Sequence, residues 1–162
     1  MANTEPLKPF RFSLDYLFTV ISAWLIPGAG HWLLGNRLRG ALMGASILGL
    51  FWVGQALAVP PDSPKGPRVP IAVSRKLSPI FFACQAGNGF STFLSNTLWG
   101  EPRYPDRTDE LDRYLPRQLN LAFLFTSISG LLNYLLVLHI LDPRSWQEAA
   151  AERSKNRKEP AP

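Results

Sequence analysis

His31 and His139 are the only histidines in the 162 residues, and each lies within a long apolar stretch. Two imidazoles at membrane depth suit axial ligation of a haem iron. On antiparallel spanning helices, however, His31 falls near the far end of the first and His139 near the near end of the last. That placement separates them by about 20 Å or more at 1.5 Å per residue, too far to share a metal if every segment spans. Each remains a weak candidate for a single axial bond to a haem or chlorophyll-type pigment, beside the plainer role of hydrogen bonding at a helix end. No cofactor is expected. The lone Cys84 allows neither an intrachain disulfide nor a Cys-rich metal site.

A second group lies in "PIFFACQAGNGFSTFLSNTLWG", residues 79–100. Here Gln85, Asn88, Thr92, Ser95 and Asn96 recur at helical spacing opposite Phe82, Phe90, Phe93 and Leu94. In the last apolar run, Thr126, Gly130 and Asn133 share one face. Polar groups inside a membrane seek partners. The stripe of Gln85, Asn88, Thr92, Asn96, Thr126 and Asn133 therefore either ties helices together or lines a path for a polar solute. Catalytic arrangements are missing: no H-E-x-x-H, no inward pair of acids, no Ser–Lys or Ser–His pair at membrane depth. "GAGHWLLG", residues 28–35, lacks the Lys-Ser/Thr ending of a phosphate loop, has Leu33 where G-x-G-x-x-G needs glycine, and interrupts an apolar run.

The elements that must position these residues are read from hydropathy. Mean hydropathy is 0.00, but the average hides blocks. Leu14–Leu34, Ala41–Val59 and Leu119–Leu141 carry no Lys or Arg, and each matches the ~20 residues that cross a ~30 Å hydrocarbon core. Adding 79–99 predicts an all-α integral membrane bundle of about four transmembrane helices, near 13–34, 41–59, 79–99 and 118–141. A proline-rich loop occupies 60–78 and a charged loop 100–117. A polar tail, 1–12, and a basic tail, 143–162, flank this 13–142 membrane domain. Prolines 61, 64, 67 and 70 share one edge of a polyproline II rod, a stiff spacer or a ligand for a proline-reading partner. Asp106–Leu115 is predicted as a short helix. Pro27 interrupts the first helix, with Gly28 and Gly30 allowing a kink. Gly40 and Gly44, and Ala41, Ala45 and Gly49, form small-residue stripes for packing against it.

The net charge of +5 sits in tails and loops, where it favours anionic headgroups over nucleic acid, since no aromatic-basic platform accompanies it. Lys8 and Arg11 before Leu14–Ile26 have the layout of a signal peptide, but Trp32–Leu34 prolong the run to spanning length. With four spans, both tails share a side with the proline loop, and eleven Lys and Arg face six. The positive-inside rule then puts both termini in the cytoplasm.

"PGAGHWLLGNRLRG", Pro27 to Gly40, resembles the P-G-x-G-H-x-x-x-G-x-x-x-R-G signature of small bacterial membrane proteins similar to the TM-two domain. There a glycine-rich helix end and a tight polar turn join two transmembrane helices. The matching positions are Pro27, Gly28, Gly30, His31, Gly35, Arg39 and Gly40. "FTSISGLLNYLLVLHILD", Phe125 to Asp142, looks like the closing helix of one uncharacterised bacterial family with the same hairpin, through Thr126, Gly130, Leu131, Leu132, Asn133 and Asp142. The resemblance implies a non-enzymatic component of the bacterial inner membrane. Three functions are expected, in order: a structural or accessory subunit of a larger membrane complex, a small transporter or channel, and an embedded enzyme. Lipids and membrane-protein partners are implied, a homo-oligomer is possible, and nucleic acid is not expected.

Overall fold

The computed structural model describes residues 14–60, 69–76, 78–100, 115–144 and 146–147. These residues are all-α, with no strand among them. The helices are α1 (Leu14–Leu25), α2 (Ala29–Leu33), α3 (Arg37–Leu57), α4 (Pro79–Gln85), α5 (Phe90–Trp99) and α6 (Leu119–Leu141), with a 3₁₀ turn at Ala86–Asn88. The expected helix at Asp106–Leu115 and the polyproline rod fall outside the described residues, apart from Leu115 and the edge of the proline stretch.

Among the described residues two helices, α3 and α6, are long and apolar enough to cross a membrane, where four were expected. At 21 and 23 residues they extend about 31 and 34 Å. They pack antiparallel. Ser129 of α6 donates to the Ile47 carbonyl at 2.7 Å, and Gly54 lies against Ala122 and Thr126. Ala58, Ile71, Ala72, Leu119, Ala122 and Phe123 close one end of the pair as an apolar cluster.

The single helix expected over 13–34 is instead a hairpin. α1 runs antiparallel to α6 for only about 18 Å, with Tyr16 donating to the Leu141 carbonyl at 3.2 Å and the Trp24 carbonyl reaching Asn133. Pro27 cannot continue the helical ladder, and Gly28, at φ +84°, turns the chain back. Gly30 then lies against Ala23 and Ile140. α2 thus returns to the end from which α1 came.

The helix expected over 79–99 also breaks and reverses. α4 runs along α6 from Phe81, stacked on Phe123 at 5.2 Å, to Gly87, whose carbonyl meets Asn133. Gly89 takes φ +42°, and α5 folds back. Thr92 donates to the Gln85 carbonyl at 2.6 Å, and Trp99 meets Trp52 of α3 at 5.8 Å between rings. The two hairpins enter from opposite ends of the α3–α6 pair and touch tip to tip, Gly89 against Trp24 and Leu25. The expected helices at 41–59 and 118–141 begin and end within a few residues of α3 and α6.

Of the two small-residue stripes on α3, only one is used. Gly40 and Gly44 press against the backbone of Pro27 and Gly28, whereas Gly49 faces open space and Ala41 and Ala45 are exposed. A Cβ at Gly44 collides with the Pro27 carbonyl. Gly44→Ala is expected to destabilise by about 1–3 kcal/mol, while Gly49→Ala, mid-helix and unopposed, is neutral or stabilising by up to about 1 kcal/mol. Thermal melts of the two variants in one detergent check the pair.

Candidate functional site

The interior is where the polar side chains are. Among the described residues, thirteen polar side chains are buried, as many as the apolar ones, while twenty-nine large apolar side chains are exposed. Gln85, Asn88, Thr126, Ser129 and Asn133 have no exposed surface at all. They meet because α6 presents Thr126, Ser129 and Asn133 at i, i+3 and i+7 on one face. α4 and its 3₁₀ extension lie along that face, with Gly130 packed directly on the Cys84 carbonyl and Gln85.

Three amides organise this seam. Gln85 donates to the Ala72 carbonyl at 2.9 Å and to the Thr126 hydroxyl at 2.7 Å, and that hydroxyl donates to the Ala122 carbonyl at 2.8 Å. Asn88 donates to the Ser129 hydroxyl at 2.7 Å, which in turn bonds the Ile47 carbonyl. Asn133 donates to the Trp24 carbonyl at 3.0 Å and the Gly87 carbonyl at 2.8 Å, one acceptor from each hairpin. Only an amide nitrogen can face these acceptors, so the bonding pattern fixes the orientation of all three groups. Each amide oxygen is then turned away from the bonded atoms. Gln85 Oε1, Asn88 Oδ1 and Asn133 Oδ1 are buried without a hydrogen-bond partner, as are Ser127 Oγ and both polar atoms of Gln55.

Of the stripe read from the sequence, Gln85, Asn88, Thr92, Thr126 and Asn133 come together, while Asn96 is only half-buried on α5. The sequence reading missed Gln55, Ser127 and Ser129. Gln55 had a visible signal, being the one amide in the apolar run 41–59, and Ser129 lies on the face already marked by Thr126 and Asn133.

His31 and His139 overturn their expected separation. Their rings are nearly parallel, at 12°, with centroids 5.3 Å apart. The reason is the α1–α2 reversal, which brings His31 back to the α6 end that carries His139. The arrangement does not fit a bis-histidine haem: an iron between opposed imidazoles sets ring centroids about 6 Å or more apart, given metal–nitrogen bonds of about 2 Å. His31 is buried against its partner ring and His139 is exposed. The contact that holds His31 is this stacking. The other residues of the Pro27–Gly40 motif shape the reversal: Pro27, Gly28 and Gly30 at its bend, with Gly40 against it. Gly35, at φ +101°, turns the chain into α3, and Arg39 is exposed on its first turn. No group of three or more metal-ligating side chains occurs among the described residues.

Removing the amide that joins both hairpins must cost more than removing one on the edge. Asn133→Leu takes the side-chain donor from the buried Gly87 carbonyl and the partly buried Trp24 carbonyl, and is expected to destabilise by about 2 kcal/mol. Asn96→Leu is expected to stay within about 0.5 kcal/mol. Tryptophan-fluorescence melts distinguish the two.

The chain belongs to DUF6677, a family of unknown function whose model matches residues 18–156. No curated protein and no solved structure matches it.

Proposed function

We propose that the chain is an integral membrane protein in which two spanning helices hold two half-depth hairpins, and that it acts as a compact structural or accessory component of a membrane assembly. The observation that carries this reading is the inverted distribution of polarity. α3 and α6 are apolar and have only 33% and 39% of their most apolar windows buried, so most of their apolar surface faces outward. A soluble core helix of this composition is mostly buried, and lipid is the solvent in which such a surface is stable. Irregular backbone at Pro27–Gly28 and Gly87–Gly89 is tolerated at depth because it is buried in protein and paired with side chains. The likeness of Pro27–Gly40 to TM-two segments agrees with a bacterial inner-membrane setting, the hairpin here returning at half depth. The accessory role draws on an interior in which the amide nitrogens of Gln85, Asn88 and Asn133 clamp backbone or hydroxyl acceptors.

A second reading, a small transporter or channel, is favoured by the unpartnered oxygens of the same seam. Solute flux through reconstituted vesicles that disappears in Asn88→Leu and Asn133→Leu supports it. Assembly defects without flux support the accessory role.

The two-span arrangement moves the 58–78 loop to the side opposite the tails. Lys and Arg then divide nine to eight, and charge no longer selects an orientation. In a Cys84→Ser background, single cysteines at Asn36 and Arg144 are expected to react from one side of sealed vesicles, and those at Arg75 and Arg117 from the other. Four full spans require Asn36 to label opposite Arg144, and Arg75 together with it.

A further inference from the structure

We propose that the open cleft between α3 and α6 binds one anionic phospholipid, an acyl chain lying between the helices and its phosphate held at Arg39 and His139. This rests on the membrane reading above and goes beyond it in naming a lipid, its charge and its seat. Leu42, Met43 and Ile47 of α3 face Leu132, Leu135 and Leu136 of α6 across a cavity of about 400 Å³. Ser46 also lines it, but its hydroxyl donates to the Leu42 carbonyl at 2.9 Å, so the wall side chains offer a guest no free donor. The cavity is one leaflet deep. Ile47 lies ten residues inside the start of α3 and Leu132 nine residues inside the end of α6. At 1.5 Å per residue these are depths of about 14–15 Å, half of a ~30 Å hydrocarbon core.

The mouth of the cleft selects the guest. Arg39 shares a helical row with Leu42, Met43 and Ser46, at i, i+3, i+4 and i+7, and stands one turn outward of them. His139 stands one turn outward of Leu135 and Leu136 in the same way, and both residues are exposed. Gly40, next to Arg39, packs on His31, whose ring stacks on His139 at 5.3 Å, so Arg39 and His139 reach the same end. α3 also begins here without a side-chain cap, and its dipole adds to the positive field. Asp142, one turn beyond His139, is the acid on this side, and it accepts the Arg144 N–H at 3.0 Å. An apolar slot with a cationic mouth matches an amphiphile with a negative head. Arg39 brings a permanent charge and forked donors suited to phosphate, and His139 a ring N–H. A zwitterionic head carries its own cation to Arg39 and gains less. A partner helix fits poorly, because the cavity holds only about one turn of a helix 10 Å across.

The test uses the full chain in phosphatidylcholine nanodiscs containing a trace of phosphatidylglycerol with a photoreactive diazirine on its acyl chain. Irradiation is followed by peptide mapping. The expected adducts concentrate on the cleft residues of α3 and α6, and unlabelled phosphatidylglycerol displaces them where added phosphatidylcholine does not. Arg39→Gln, at an exposed position, is expected to cut the cleft adducts about fivefold. A phosphatidylcholine carrying the same diazirine should label the cleft no differently in that variant and in the wild type. Adducts spread over α3 and α6 in proportion to exposure overturn the proposal, as does equal displacement by both lipids. An unlabelled cleft in a species that runs as a dimer or larger assigns the face to a protein and overturns it too. If Arg39→Gln does not fold, displacement on the wild-type chain decides. Alkaline carbonate treatment of native membranes separates the two levels. Release of the chain without detergent refutes the membrane reading and the site together, whereas a retained chain that does not discriminate between the lipids refutes the site alone.

Discussion

The Asn133 side chain is the point on which the arrangement turns. Its two amide protons reach one carbonyl from each hairpin, Trp24 on one and Gly87 on the other. Each carbonyl is freed because a helix stops there: Gly28, whose N–H would meet the Trp24 carbonyl in a continued helix, turns away at φ +84°, and at Gly87–Gly89 the chain unwinds into a 3₁₀ turn and a left-handed glycine. A freed carbonyl deep in an apolar setting costs several kcal/mol unless it is met. A single primary amide has the two donors needed to meet both. The chain can therefore stop two helices halfway and still leave their ends bonded.

Everything else accommodates that junction. Gly130 lets the backbone of α4 lie directly on α6, and Gly44 lets the first bend lie on α3. Ser129 extends the Asn88 contact into α3 through the Ile47 carbonyl, so one hydrogen-bonded chain links the second hairpin to both long helices. At the opposite end from the tails, Ile71 and Ala72 fold under α3 and α6, and Ala72 supplies the acceptor that holds Gln85. At the tail end, Tyr16, Trp146, His31 and His139 gather around the last turns of α6. Aromatic and imidazole rings replace the amides there, where the bundle nears its edge.

The two long helices were legible in the sequence as uninterrupted apolar runs too long for anything but a helix. The polar face was legible too, because Thr126 and Asn133 share a helical face and Gln85 and Asn88 are separated by one turn. What was not legible was direction. Hydropathy reports that 14–34 and 79–99 are apolar and long, but a reversal inside an apolar run changes neither its length nor its composition. The breaks left local marks, Pro27-Gly28 in one and Gly87-Asn88-Gly89 in the other. A proline in a spanning helix equally permits a kink, and only tertiary contacts choose between the kink and the turn. The separation expected for His31 and His139 failed for this reason alone: it counted residues along helices that do not continue.

That failure also supplies the most direct test of the half-depth hairpins. In a Cys84→Ser background, cysteines placed at positions 31 and 139 can be treated in native membranes with a short bifunctional thiol reagent, and the linked peptides identified by mass spectrometry. Two hairpins meeting at Asn133 bring these positions together, so efficient bridging within one chain is the expected result. Four full spans hold them about 20 Å or more apart. Free thiols at both positions after treatment, or bridging only by a reagent long enough to cross that distance, would contradict the account.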